Sequence, residues 1–172
     1  MIKFIYPEGA TPVTQDDLFN LIPEHIHTQN DLNAWEQMNI LQAEIEGPSK
    51  KHGALLSQEF MKALHLQMFN RTWKWAGKYR QHQTNIGCPW QEIPTRLKIL
   101  CDDITYQLEA RTYPIDELVA RFHHRLVFIH PFPNGNGRFS RLMADFLLSD
   151  LGEERFAWGE GDLCQANTKS HF

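Results

Sequence analysis

Apolar residues recur at helical spacing along most of this chain. Leu32, Trp35, Met38, Leu41 and Ile45 form a first stripe, with Asn30 or Asp31 placed to cap it and Gly47-Pro48 placed to end it. Phe60, Met61, Leu64, Met68 and Phe69 form a second, opened by Ser57 as N-cap. Leu97, Leu100, Cys101, Ile104 and Leu108 form a third. Pro94 suits its first turn, and Asp102, Asp103 and Glu109 are left for solvent. Two more stripes follow: Ile115, Leu118, Val119, Phe122, Leu126 and Ile129, then Phe139, Leu142, Met143, Phe146 and Leu147, with Gly152 as a stop. The pattern predicts an all-α fold.

The stretches between stripes read differently. Residues 1–29 are punctuated by Pro7, Gly9 and Pro12, which predicts an extended arm until about Asp16 and room for one short helix over Asp16 to Leu21. Lys50 to Ala54 reads as a polar linker. Trp73 and Trp75 read as core pieces. Residues 77–94 carry Gly87, Pro89 and Pro94, while Tyr79, Thr84 and Ile86 suit extended backbone, so a β-hairpin is expected there.

Composition narrows the class. At 172 residues and 42% hydrophobic, the chain reads as one domain with a real core. A net charge of −4 without a basic cluster argues against nucleic-acid binding. No apolar run approaches a membrane span, and Met1 to Val13 lacks the apolar core of a secretory signal. Cys88, Cys101 and Cys164 are odd in number and scattered, which reads as reduced thiols in a cytoplasmic protein. His123, His124 and His130 contain no i, i+4 pair, so no metal site is expected from them; one of His123 and His124 reads as a hydrogen-bonded core residue.

The chemistry concentrates in His130-Pro131-Phe132-Pro133-Asn134-Gly135-Asn136-Gly137-Arg138-Phe139-Ser140-Arg141. Pro131 and Pro133 forbid a continuous helix, so the last two stripes are joined by a tight loop. Gly135 and Gly137 bracket Asn136 where the last helix begins. Free backbone N–H groups and the helix dipole favour an anion there, and glycine lets a phosphate come close. Arg138 and Arg141 are one turn apart and can reach one anion. His130 stands beside them as a candidate base, and Phe132 is expected to pack inward. The set suits phosphoryl or nucleotidyl transfer.

The same residues resemble the Fic signature, His-x-Phe-x-[Asp/Glu]-Gly-Asn-Gly-Arg-x-x-Arg, with Asn134 in place of the usual acid. Trp35-Glu36-Gln37, Trp73-Lys74-Trp75-Ala76-Gly77, Asn85 to Pro94 and Arg121 to Leu126 are similar to the subgroup called mobile mystery protein B, so that the resemblance covers nearly the whole chain. It implies a Fic-type helical domain, with residues 77–94 as a flap over the active site and residues 115–151 as the catalytic helix-loop-helix. It implies a protein adenylyltransferase that moves AMP from ATP to a Ser, Thr or Tyr hydroxyl of a target protein. The alternatives are a Fic enzyme moving another phosphate-containing group, or a binding module without turnover. The resemblance implies His130 as catalytic base. Asn134, Gly135, Asn136, Gly137, Arg138 and Arg141 would hold the nucleotide, with Mg²⁺ weakened by Asn134. Asn85, Ile86 and Gly87 would dock the target segment. Residues 30–47 resemble an inhibitory helix whose glutamate pairs with Arg141. That glutamate is Glu46, with Glu44 as the alternative and Gln42 where a hydroxyl residue is usual. The subgroup also implies a small helix-turn-helix companion in a toxin–antitoxin-like pair. Its members run on through another helix beyond Phe172; without that helix, apolar surface is expected near the tail.

Overall fold

A computed structural model describes residues 19–47 and 52–159. Most of the expected N-terminal arm, and Cys164, therefore lie outside the described residues. The elements are α1 (Gln29–Glu46), α2 (His52–Leu55), α3 (Gln58–Phe69), α4 (Ile93–Glu109), α5 (Ile115–Ile129) and α6 (Asn136–Asp150), with a 3-10 turn at Trp90–Glu92 leading into α4. The most extensive packing joins α5 to α6, then α1 to α3, then α4 to α5. The core runs through all of these helices. Met61, Met68, Phe69, Ile93, Leu97, Phe122, Phe132 and Phe139 are fully buried. Each such side chain contributes roughly 1.5–3 kcal/mol by leaving water.

The later helices follow their stripes. The predicted apolar faces of α3 and α6 are buried, and so are those of α4 and α5 apart from a half-buried Leu108 and Ile115. Ser57 Oγ accepts from Phe60 N at 3.2 Å, and Pro94 sits in the first turn of α4. Gly152 takes φ +80° just past α6. The segment expected as a linker contains the short α2, because Leu55 buries itself in the core.

The first helix departs from its stripe. Its buried positions are Leu32, Glu36, Asn39 and Ala43, while Met38, Leu41 and Ile45 are exposed. Polar residues turn inward because each has fixed partners. Asn39 Nδ2 donates to the Gln67 carbonyl at 3.1 Å, and its Oδ1 accepts from Arg71 N at 3.1 Å. Buried polar groups so satisfied are tolerated in a core. The N-cap is Thr28, two or three residues ahead of the expected cap. Its Oγ1 accepts from Asp31 N at 3.1 Å while Asp31 accepts from Thr28 N at 3.2 Å, a capping box. Gly47 ends α1 without a positive φ. A Cβ there would stand 2.4 Å from the Phe146 ring, so close packing rather than backbone freedom explains the glycine.

No strand is formed among the described residues of 77–94; the expected hairpin is an irregular loop. Its two ends are nevertheless tied to the loop after α5: Arg80 N donates to the Pro131 carbonyl at 3.0 Å and Cys88 N to the Ile129 carbonyl at 3.4 Å. The one isolated antiparallel bridge among the described residues joins Leu21 to Trp73, where the short Asp16 to Leu21 helix was expected to end. No described helix is long and apolar enough to cross a membrane.

Candidate functional site

The loop from His130 to Gly135 is held in one shape by its own side chains. His130 is the C-cap of α5 and takes the left-handed setting, φ 54° and ψ 61°. Glycine is usual there, and a residue with a Cβ carries a cost of about 1–2 kcal/mol. Phe132 turns fully inward, stacked on His65 at 3.7 Å between centroids and edge-on to Phe139 at 5.0 Å. The buried Asn136 side chain then closes the loop. Its Oδ1 accepts from Phe132 N at 2.9 Å and its Nδ2 donates to the Phe132 carbonyl at 2.8 Å.

The two glycines do different jobs. Gly135 has φ +77°, and a Cβ on it would stand 2.5 Å from the Phe69 ring. Gly137 has an ordinary helical φ, and a Cβ on it would meet nothing within 4 Å. The fold requires the first glycine. The second leaves open, exposed space at the start of α6. The backbone N–H groups of Asn136, Gly137 and Arg138 have no acceptor inside the helix by position, so an anion in that space would meet them.

His130 is 6% exposed, and neither ring nitrogen has a partner of hydrogen-bond geometry. Burial, and then the positive charge of Arg80, push its pKa down to about 4; the Val127 carbonyl works the other way. The imidazole is therefore a neutral base at pH 7. A second histidine, His65 on α3, lies fully buried beneath the loop. Gly77 N donates to its Nδ1 at 3.0 Å, so Nε2 carries the proton and donates to the Asn134 carbonyl at 3.1 Å. Burial drives its pKa down to about 3, with the Arg138 charge adding to that and the Asn134 carbonyl opposing it. Neither His123 nor His124 is a core residue: His123 is half-buried against Trp158 at 4.5 Å, and His124 is exposed.

The signature arginines have separate surroundings. Arg138 Nη1 donates to Glu36 Oε2 at 2.7 Å, and its guanidinium lies 5.1 Å over the Phe69 ring. Glu36, 4% exposed, uses its other oxygen to accept from Trp73 Nε1 at 2.7 Å. Arg141 is exposed, and its charge bears on His123, whose pKa is lowered first by burial and next by Arg141. Glu46 accepts from Gln42 Nε2 at 2.6 Å, and Glu44 pairs with Arg155. Of the α1 carboxylates, Glu36 is the one on a signature arginine. Asn85 and Ile86 are exposed on the 77–94 loop. Gly87 is half-buried with φ +109°, where a Cβ would stand 2.8 Å from the Cβ of His130.

A divalent cation does not fit this donor set. Mg²⁺ needs hard oxygen ligands. Asn134 Oδ1 is turned back onto Gly135 N at 2.6 Å, and the described residues of the 130–137 loop contain no carboxylate. A groove of about 680 Å³ between α4 and α5 is lined by Glu92, Arg96, Ile99, Arg125 and Phe128, and lies outside the glycine loop.

Three residues that contact the His130 to Arg141 stretch escaped the sequence reading. Glu36 interrupts nothing in the expected stripe. His65 does leave a signal, being a polar residue one turn after Met61 on an apolar face. Arg80 leaves none, since a basic residue in a Gly- and Pro-marked loop is ordinarily solvated.

Comparison with known proteins bears on the family and the fold. Residues 55–148 match the profile of the Fic/DOC family. The protein adenylyltransferase Fic of Aedes aegypti is 35% identical over 80 residues, 44% of this chain and 16% of that protein. Thus the chain matches only a small part of the length of its curated relatives. The N-terminal FIC domain of Bep8 from Bartonella sp. 1-1C shares the fold with a TM-score of 0.62 at 19% identity, over 88% of this chain and 76% of that one. BepC, a VirB-translocated effector of Bartonella tribocorum solved with bound AMPPNP, gives 0.58 at 18% identity, over 72% and 70% of the two chains.

Proposed function

The chain belongs to the Fic/DOC family, and on that premise we propose that it is a protein adenylyltransferase acting through His130. The observation that carries this reading is the His130 imidazole, neutral at pH 7 and with both nitrogens unpartnered beside the glycine loop. A buried imidazole without partners carries a desolvation cost that an incoming hydroxyl would offset. The relatives named as adenylyltransferases and the AMPPNP held by BepC support ATP as donor.

In this reading the triphosphate occupies the space left by Gly137, against the N–H groups of Asn136, Gly137 and Arg138. Gly135 and the loop from Asn134 form its floor. The Arg138 guanidinium takes the β-phosphate and Arg141 the γ-phosphate. His130 removes the proton from a Ser, Thr or Tyr hydroxyl of the target. The hydroxyl oxygen forms a bond to the α-phosphorus, the bond from that phosphorus to the bridging oxygen breaks, and pyrophosphate leaves. Oriented donors around the developing charge supply the rate enhancement. No step passes through a metal. The exposed Asn85 and Ile86, with Gly87, form the edge to which a target segment adds by main-chain pairing, and the 77–94 loop takes up its flap geometry with that segment in place. We assign autoinhibition to α1, through Glu36 on Arg138. Glu46 contributes only where α1 brings it to Arg141. A small helix-turn-helix companion remains a candidate partner.

A second reading, transfer of another phosphate-containing group, is favoured by Asn134, which removes the acid expected at the phosphates. One experiment separates the two. Wild type and His130→Ala are incubated with host lysate and ATP labelled at the α-phosphate, then with other labelled nucleotides. Labelling from ATP in wild type alone is expected. ATP that binds without being transferred, or a His130→Ala variant that labels as well as wild type, overturns the reading.

A further inference from the structure

Arg80 is 2% exposed and has no carboxylate partner among its hydrogen bonds. A buried cation without a counter-ion is costly and rare unless carbonyl groups replace its water. Here they do. Nε donates to the His130 carbonyl at 2.7 Å, Nη1 to His82 at 3.0 Å, and Nη2 to Cys88 at 2.5 Å and to Ile129 at 3.3 Å. Two of these carbonyls end α5, where a cation also meets the negative end of the helix dipole. The other two belong to the loop at the target edge. Gly87 presses on the same point, since a Cβ there would stand 2.8 Å from both Arg80 Nη2 and the His130 Cβ. One side chain thus ties the strained backbone of the base to the loop beside it.

We propose that Arg80 is the positioning residue for His130: its guanidinium, shared between the end of α5 and the 80–88 loop, holds the imidazole in its left-handed backbone setting and in register with the target edge. The inference rests on the transfer reading for its purpose, though the clamp itself does not. Planarity and a fixed fork of donors suit arginine to this task, and lysine cannot span the same carbonyls. Arg80 is the charged group that bears on His130, and the Cys88 thiol lies on the neighbouring Ile129 carbonyl. Burial raises the thiol, which stays neutral at pH 7, so Arg80 is the charge that His130 feels.

The test uses the full chain with Arg80→Lys and Arg80→Met. It reads folding by thermal melting, ATP binding, turnover with α-labelled ATP, and the titration of His130 by NMR. Wild-type His130 should titrate near 4. Arg80→Lys keeps the charge and loses the fork. It should bind ATP within about threefold of wild type, turn over about 100-fold more slowly, and titrate near the wild-type midpoint; a 1 Å misplacement costs that much in rate. In Arg80→Met the midpoint should rise. A folded Arg80→Lys that turns over like wild type overturns the proposal. So does a wild-type His130 that titrates at its ordinary value, which decides the matter even if Arg80→Met fails to fold. The failure of ATP transfer in every form, with the His130 titration as expected, would instead remove the transfer reading and leave the clamp standing.

Discussion

Glu36→Gln separates two roles that one carboxylate now plays. Glu36 Oε1 accepts from Trp73 Nε1 and Oε2 accepts from Arg138 Nη1, both at 2.7 Å. A glutamine of the same shape keeps its oxygen on Trp73 but turns an NH₂ group toward the guanidinium, donor against donor. Arg138 is released while the indole stays satisfied. Glu36 is buried and the Arg138 side chain is 32% exposed, so the pair is neither a surface bridge nor a fully desolvated one. A charge-assisted bond of this kind contributes about 1.5–3 kcal/mol. Its loss should lower the melting temperature by roughly 4–8 °C in a chain of this size. In the competition reading the same change should tighten ATP binding about tenfold, or about 1.4 kcal/mol, because triphosphate and carboxylate no longer share one guanidinium. The assay is paired: thermal melting without ligand, and ATP titration by calorimetry. Stability and affinity are expected to move in opposite directions. If ATP binding weakens in step with stability, Glu36 orients Arg138 rather than competing for it, and the autoinhibitory assignment fails.

Three further outcomes follow from the same geometry. Gly135→Ala should lose about 2–5 kcal/mol of stability, from its φ of +77° and the Phe69 ring, whereas Gly137→Ala should melt no lower than wild type and lose ATP affinity; equal effects of both on melting would refute the distinction. His65 resists protonation down to about 3 while an unfolded histidine takes up a proton near 6.5. Its contribution is therefore complete above 6.5 and falls as pH drops toward 3, by about 3 kcal/mol at pH 4. Melting of His65→Phe should show that much less pH dependence than wild type, and an unchanged pH dependence would count against a neutral His65. Asn134→Asp adds a carboxylate at the phosphates, so transfer should gain sensitivity to Mg²⁺ in a metal titration; an identical Mg²⁺ response in the two proteins would show that position 134 does not set metal use.

The helices were legible where apolar residues alone fill the buried face. Leu97, Leu100 and Ile104 on α4, or Leu118, Phe122 and Leu126 on α5, leave one geometry open. Glu36 and Asn39 break that logic on α1. They are inward because of Trp73, Arg138, Gln67 and Arg71, partners about 28 or more residues away, and periodicity sees only neighbours. The loop from His130 to Gly135 and the start of α6 were legible because proline and glycine restrict the backbone locally. The residues that hold it, His65 and Arg80, act through backbone carbonyls of other segments. A carbonyl has no residue type, so no pattern in the chain announces such a contact. The expected hairpin is not shown as strands among the described residues; two of its N–H groups, those of Arg80 and Cys88, donate instead to the Pro131 and Ile129 carbonyls.

The Phe69 ring occupies the place where a side chain on Gly135 would be. The helix α3 thereby limits which sequences the glycine turn accepts. The exchangeable unit in this architecture is larger than the twelve-residue signature. Moving 130–141 alone onto another helical hairpin would strand the glycine without the aromatic that makes it necessary. A transplant that carries α3 along would bring the shape of the turn with it.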